Sequence, residues 1–156
     1  MGVHVSVVLL LAVFAGSAWA GPPPRPFKGN GVATSSVPTS PPAGPIVNLK
    51  VEWEGVASHL GKFKRTDYLL FNFVEGTLVG AKTFTAANGD ELHVLTEGTF
   101  DASHEPSEED PLLISGTYCF IGGTGRFAEA TGTASYEVLT PDFQSATVSF
   151  EGVLDY

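Results

Sequence analysis

The stretch GGTGRFAEATG, Gly122–Gly132, carries a spacing that could do chemistry. Gly123-x-Gly125-x-x-Ala128 follows the apolar segment Leu112–Ile121 and matches a relaxed dinucleotide fingerprint. In a nucleotide fold such glycines bring the backbone onto a pyrophosphate at a helix N-terminus, and a crossover helix and parallel strand must follow. Here only Glu129-Ala130-Thr131 separate Ala128 from Gly132, and a strand pattern resumes at once. No crossover helix fits there. The loop also lacks the Gly-Lys-Ser/Thr ending of a P-loop. We therefore expect a tight corner between strands, with glycines supplying positive φ and close backbone approach. Phe127 then plugs the end of the fold, and Arg126 lies over its rim against a carboxylate.

A second candidate lies in the segment from Phe63 to Phe73. At period two, Phe63, Arg65, Asp67, Leu69, Phe71 and Phe73 share one face. If that face points inward, two opposite charges sit among apolar neighbours, where they must be paired. A charge-bearing apolar cavity is a binding-site candidate. The alternatives are a strand end that leaves both charges solvated, or a pair that satisfies only itself. Trp53, Tyr68, Tyr118 and Tyr136 are the large amphipathic side chains; they line a cavity or pack a core. The candidate ligand-binding set is Trp53, Arg65, Asp67, Tyr118 and Tyr136.

Other constellations are weaker. Asp101–Asp110, DASHEPSEED, holds five carboxylates and His104 but lacks the order of an EF-hand loop, and reads as a solvated loop. His4, His59, His93 and His104 have no metal-ligand spacing. There is no Gly-x-Ser-x-Gly or other nucleophile motif. The residues give no reason to expect a metal or a cofactor, and no catalytic residue can be named.

The elements that must position these residues are strands. Leu49, Val51, Trp53 and Ala57 alternate with Lys50, Glu52, Glu54 and Ser58, and Val148, Phe150 and Leu154 alternate near the end. Strands are expected at about 27–36, 48–59, 63–74, 77–86, 90–101, 111–121, 132–140 and 143–155. Asn88-Gly89 is a strong hairpin turn; Glu75-Gly76 and Thr140-Pro141-Asp142 close two more. A weak repeat adds to this: Gly61-Lys62-Phe63 and Gly125-Arg126-Phe127 each open a strand, with phenylalanines following at Phe84 and Phe150. Eight meandering strands favour closure into an up-and-down antiparallel barrel, which removes exposed edges. A barrel of that size is filled by side chains or holds one small ligand.

The segment Leu112–Ile121 is apolar on both faces, with Leu113, Cys119 and Ile121 opposing Leu112, Ile114, Tyr118 and Phe120. A strand apolar on both sides is expected to be covered on both, by a loop or by a second subunit, which favours a homo-oligomer. Cys119 is expected to be a small buried hydrophobe.

The chain begins with an apolar stretch, Val5–Phe14, interrupted by Ser6, and Ala18-Trp19-Ala20 supplies an Ala-x-Ala cleavage site before Gly21. This is the pattern of a secretory signal peptide over residues 1–20, although no Lys or Arg precedes the apolar run. A proline-rich linker follows at 21–26, and one domain at 27–156. The expected location is secreted or periplasmic, with no membrane attachment after cleavage. The single cysteine fits a domain that needs no disulfide framework. Seventeen acidic residues oppose eight basic ones, for a net charge of −9. No basic run exists, which argues against nucleic acid and anionic membrane surfaces as partners.

The block SGTYCFIGGTGRFAEATGTASYEVLTPDFQSATVSFEGVLDY, with FTAANGDEL upstream, resembles a widespread group of exported bacterial proteins of unknown function. That group is similar to the allene oxide cyclase-like barrels, which include plant dirigent proteins. The resemblance covers about residues 27–156 and implies a ligand-holding barrel. Two functional expectations follow. The first is a non-catalytic binding or structural module for a small apolar ligand or a partner chain. The alternative is a cyclase or isomerase that folds an apolar substrate inside the barrel.

Overall fold

The computed structural model describes residues 23–41 and 44–156. The expected signal peptide lies outside the described residues. Eight strands form a closed antiparallel barrel in chain order: β1 (Arg25–Pro38), β2 (Ile46–Ala57), β3 (Gly61–Asn72), β4 (Thr77–Thr85), β5 (Glu91–Phe100), β6 (Leu112–Gly123), β7 (Thr131–Thr140) and β8 (Thr147–Asp155). β1 pairs with both β2 and β8, so no strand edge is left open. β1 begins before Phe27: Arg25 and Pro26 pair with Leu154 and Val153, so the expected linker ends inside the wall. Among the described residues no helix is long and apolar enough to cross a membrane.

The corner at Gly122–Gly132 is a single turn of 3-10 helix, Gly125–Phe127, between β6 and an antiparallel β7. Gly125 has φ +55°, and a Cβ there would lie 2.0 Å from Asp90 Oδ1, so both backbone and space call for glycine. Phe127 is fully buried at the barrel end, and Arg126 lies on the rim with Nε 3.7 Å from the Asp90 carboxylate. The repeat with Gly61-Lys62-Phe63 is only partial. Gly61 starts β3 directly, whereas β7 starts four residues after Phe127, at Thr131.

The interior has two halves. At the end closed by this corner, Phe27 meets Phe120 at 5.1 Å, Phe150 at 5.2 Å and Phe84 at 6.3 Å, and Phe63 meets Phe84 at 5.1 Å. These rings form a dry plug, capped by the buried side chains of Leu60, Phe127 and Ala130. The opposite end carries the loops after β1, β3, β5 and β7. There Phe73 gathers Phe71, Phe100 and Phe143 at 5.2–6.0 Å.

The outer face of β6 has no cover from the described residues of its own chain, and one expectation about it is corrected. Leu113 and Ile121 are exposed, and so is Cys119. No described part of the chain covers them. Cys119 is therefore not a core residue. Its neighbours Tyr118 and Phe120 are far larger, and they take the interior face. Once they do, the pleat sends Cys119 outward.

Candidate functional site

Between the two aromatic ends lies a charged layer. Arg65, Asp67 and Lys82 are each at least 96% buried. The barrel register builds this layer directly. Trp53 on β2 stands opposite Arg65 on β3, and Asp67 on β3 stands opposite Lys82 on β4. Directly opposed side chains are the ones a sheet brings into contact. Accordingly, the Arg65 guanidinium sits 4.4 Å from the Trp53 ring centre, a cation–π contact out of water. Lys82 Nζ donates to Asp67 Oδ2 at 2.7 Å. Arg65 Nη2 donates to the same oxygen at 3.0 Å. Arg65 Nε stands 2.9 Å from Asp67 Oδ1 but off the hydrogen-bond line, so that contact is electrostatic.

Tyr118 and Tyr136 complete the layer from β6 and β7. Arg65 Nη1 donates to the Tyr118 hydroxyl at 2.9 Å. The two tyrosine rings stack with centroids 4.6 Å apart and planes 18° apart, and Lys82 Nζ lies 5.5–5.6 Å from both ring centres. Tyr136 reaches this position because two glycines make room. Gly98 and Gly116 face each other across β5 and β6. A Cβ on either would lie 2.3 or 2.7 Å from the Tyr136 hydroxyl. That hydroxyl instead donates to the Glu97 carbonyl at 3.2 Å.

The electrostatics follow from burial and proximity. Desolvation and the neighbouring Arg65 charge push the Lys82 ammonium down to about 8, against the pull of Asp67. Desolvation works against the Arg65 charge too, but Asp67 and the Tyr118 hydroxyl outweigh it and raise its pKa. Desolvation pushes the Tyr118 hydroxyl well up, so it stays neutral.

Above this layer is a cavity of about 50 Å³, partly open to the mouth. Val51, Trp53, Lys82, Ile114, Tyr136 and Val138 are among its walls, and Phe143, Gln144 and Ala146 stand at its lip. The indole Nε1 of Trp53 is buried without a hydrogen-bond partner. A larger concavity, about 970 Å³, lies on the outer wall and carries Glu97, Glu137 and Glu151 among serines and threonines. It is open to solvent, and one of its carboxylates, Glu151, already holds Lys28 at 2.6 Å. The inner cavity, with its unmet donors, is the better candidate.

Of the sequence-derived set, Trp53, Arg65, Asp67, Tyr118 and Tyr136 all meet in this one layer. The solvated alternative for Arg65 and Asp67 is overturned, because the strand runs through the middle of the barrel. The self-satisfied pair is also incomplete, because Lys82 shares the carboxylate. Tyr68 points outward and is exposed. Lys82 was not in the set. Its signal was present, since Leu78, Lys82 and Phe84 share a face at period two, but a lysine on an apolar face is easily taken as a strand margin. In the acidic loop, Asp101 accepts from Ser103 and His104 contacts Asp110; among the described residues no three metal-ligating side chains gather.

No family model matches the chain, and neither a curated protein nor a solved structure does so.

A buried ionic layer is a weak device for stability, because desolvation offsets most of the Coulomb gain. The triple variant Arg65→Met, Asp67→Leu, Lys82→Met is expected to be as stable as the native chain, or up to about 4 kcal/mol more stable, in urea unfolding. A large loss would mean that the layer is needed to hold the fold.

Proposed function

We propose that this protein is a binding module that holds a small, mainly apolar molecule at the loop end of the barrel. The observation that carries the reading is the partly open, mainly apolar cavity whose wall includes Lys82, with donors that Asp67 leaves unused, and Trp53, whose buried Nε1 has no hydrogen-bond partner. Lysine offers three donors, and Lys82 uses one, on Asp67. Apolar walls supply affinity and a few polar groups fix orientation, which is how small-molecule sites are built. The resemblance to ligand-holding barrels points the same way, and the signal-like segment supports an exported protein.

The test is the Trp53 indole N–H resonance, followed while linear alcohols are added. A saturable shift is expected, with affinity rising about fourfold per added methylene until the mouth is filled, as about 0.8 kcal/mol per buried CH₂ requires. Ala146→Phe at the lip should abolish the shift and leave the fold intact. Linear, unsaturable shifts in the native protein would overturn the reading.

A further inference from the structure

The charges of the buried layer do not balance. Two cations, Arg65 and Lys82, face one carboxylate, Asp67. The other groups against them are Tyr118 and Tyr136, whose hydroxyls burial keeps neutral by raising their pKa values. Trp53 adds a dipole but no charge. The layer therefore carries one uncompensated positive charge in a region closed to water on the plug side. An uncompensated buried charge is costly, and the same low dielectric makes a counter-ion valuable there. The two residues with underused donors, Trp53 and Lys82, both line this inner cavity. Its size, about 50 Å³, is room for about one or two waters or the head of a small organic ion.

We propose that the native ligand is a small organic monoanion, whose carboxylate lies over Lys82 and Trp53 and whose apolar body points to the lip at Phe143 and Ala146. This rests on the binding function proposed above and specifies its ligand class. The anion supplies the missing negative charge, accepts the Trp53 N–H, and takes a donor of Lys82 that Asp67 leaves free. Arg65 stays with Asp67 and Tyr118 and orients the carboxylate of Asp67 toward Lys82.

The charge on Lys82 then sets a pH dependence. Its ammonium is charged below about pH 8 and neutral above, with Asp67 and Arg65 on β3 and the two tyrosine rings as its surroundings. Anion binding is strongest below that point and falls as the proton leaves.

The experiment compares propionate with 1-propanol on the full chain, followed by the Trp53 indole N–H. At pH 7 propionate is expected to bind at least tenfold more tightly. Between pH 7 and pH 9.5 its affinity should fall by up to about 30-fold, the loss of the charged form of a group titrating near 8. The affinity of 1-propanol should stay level. Lys82→Met, which leaves the balanced Arg65–Asp67 pair, should lose the preference for propionate over 1-propanol. The pH series on the native chain needs no variant, so it decides the matter even if Lys82→Met fails to fold. If 1-propanol binds as tightly as propionate, or propionate binding is flat with pH, the anion proposal is overturned while the binding function stands. If neither shifts the resonance saturably, both are overturned.

Discussion

Asp67→Asn should lower the unfolding free energy by about 3–5 kcal/mol at pH 6.5. The substitution keeps shape and removes one charge. Among the described residues Asp67 is the sole carboxylate within contact of Arg65 and Lys82, and all three side chains are almost wholly buried. With asparagine there, two cations remain in the barrel with no counter-charge. The structure has one way to relieve this, which is to release the Lys82 proton. That group already titrates near 8, so removing Asp67 lowers it further. The sign follows: the unfolded chain holds the lysine proton up to its ordinary range, while the folded variant sheds it early. The variant therefore regains stability relative to the native protein as pH rises from 6.5 to 9.5. Urea unfolding of both proteins at the two pH values measures this. A loss under about 1 kcal/mol at pH 6.5 would show that water reaches the layer and screens it.

The same layer shows where sequence reasoning succeeds. The strands were legible because their inner and outer residues alternate cleanly: Trp53 against Glu52 and Glu54, Phe150 against Ser149 and Glu151. The Asn88-Gly89 turn and the corner at Gly125 fixed where the chain reverses. Arg65 and Asp67 stood out because they fall on the face of Phe63, Leu69 and Phe71. What period two does not carry is the partner across the sheet. Lys82 meets Asp67 only through the β3–β4 register, which depends on the turn at Glu75-Gly76 and the whole barrel shear. The direction of β6 was equally hidden. Both its faces are apolar, so alternation alone does not say which side is in; the bulk of Tyr118 and Phe120 decides, and Cys119 follows outward. The room for Tyr136 was hidden too, since Gly98 and Gly116 lie eighteen residues apart and matter only once their strands pair.

Phe27→Ala, at the other half of the interior, should cost about 4–5 kcal/mol, the upper part of the range for deleting a buried aromatic ring. The cost of such a deletion depends on how far the surroundings can close over the hole. Phe27 has no exposed surface, and its ring touches Phe84, Phe120 and Phe150 on three different strands. Those strands belong to a wall hydrogen-bonded all the way round, so none can move inward without breaking ladders on both sides. The cavity should therefore persist rather than collapse. It is lined by aromatic carbon, so it should stay dry and take up benzene, which raises the melting temperature of the variant and not of the native protein. The ligand site lies beyond the charged layer, so the Trp53 response to 1-propanol should change by less than about twofold, as distant sites act independently. A loss under about 2 kcal/mol would mean that the start of β1 yields and fills the space. A loss of 1-propanol binding would mean that the plug and the binding end act as one unit, and that the charged layer between them transmits packing changes from one half of the barrel to the other.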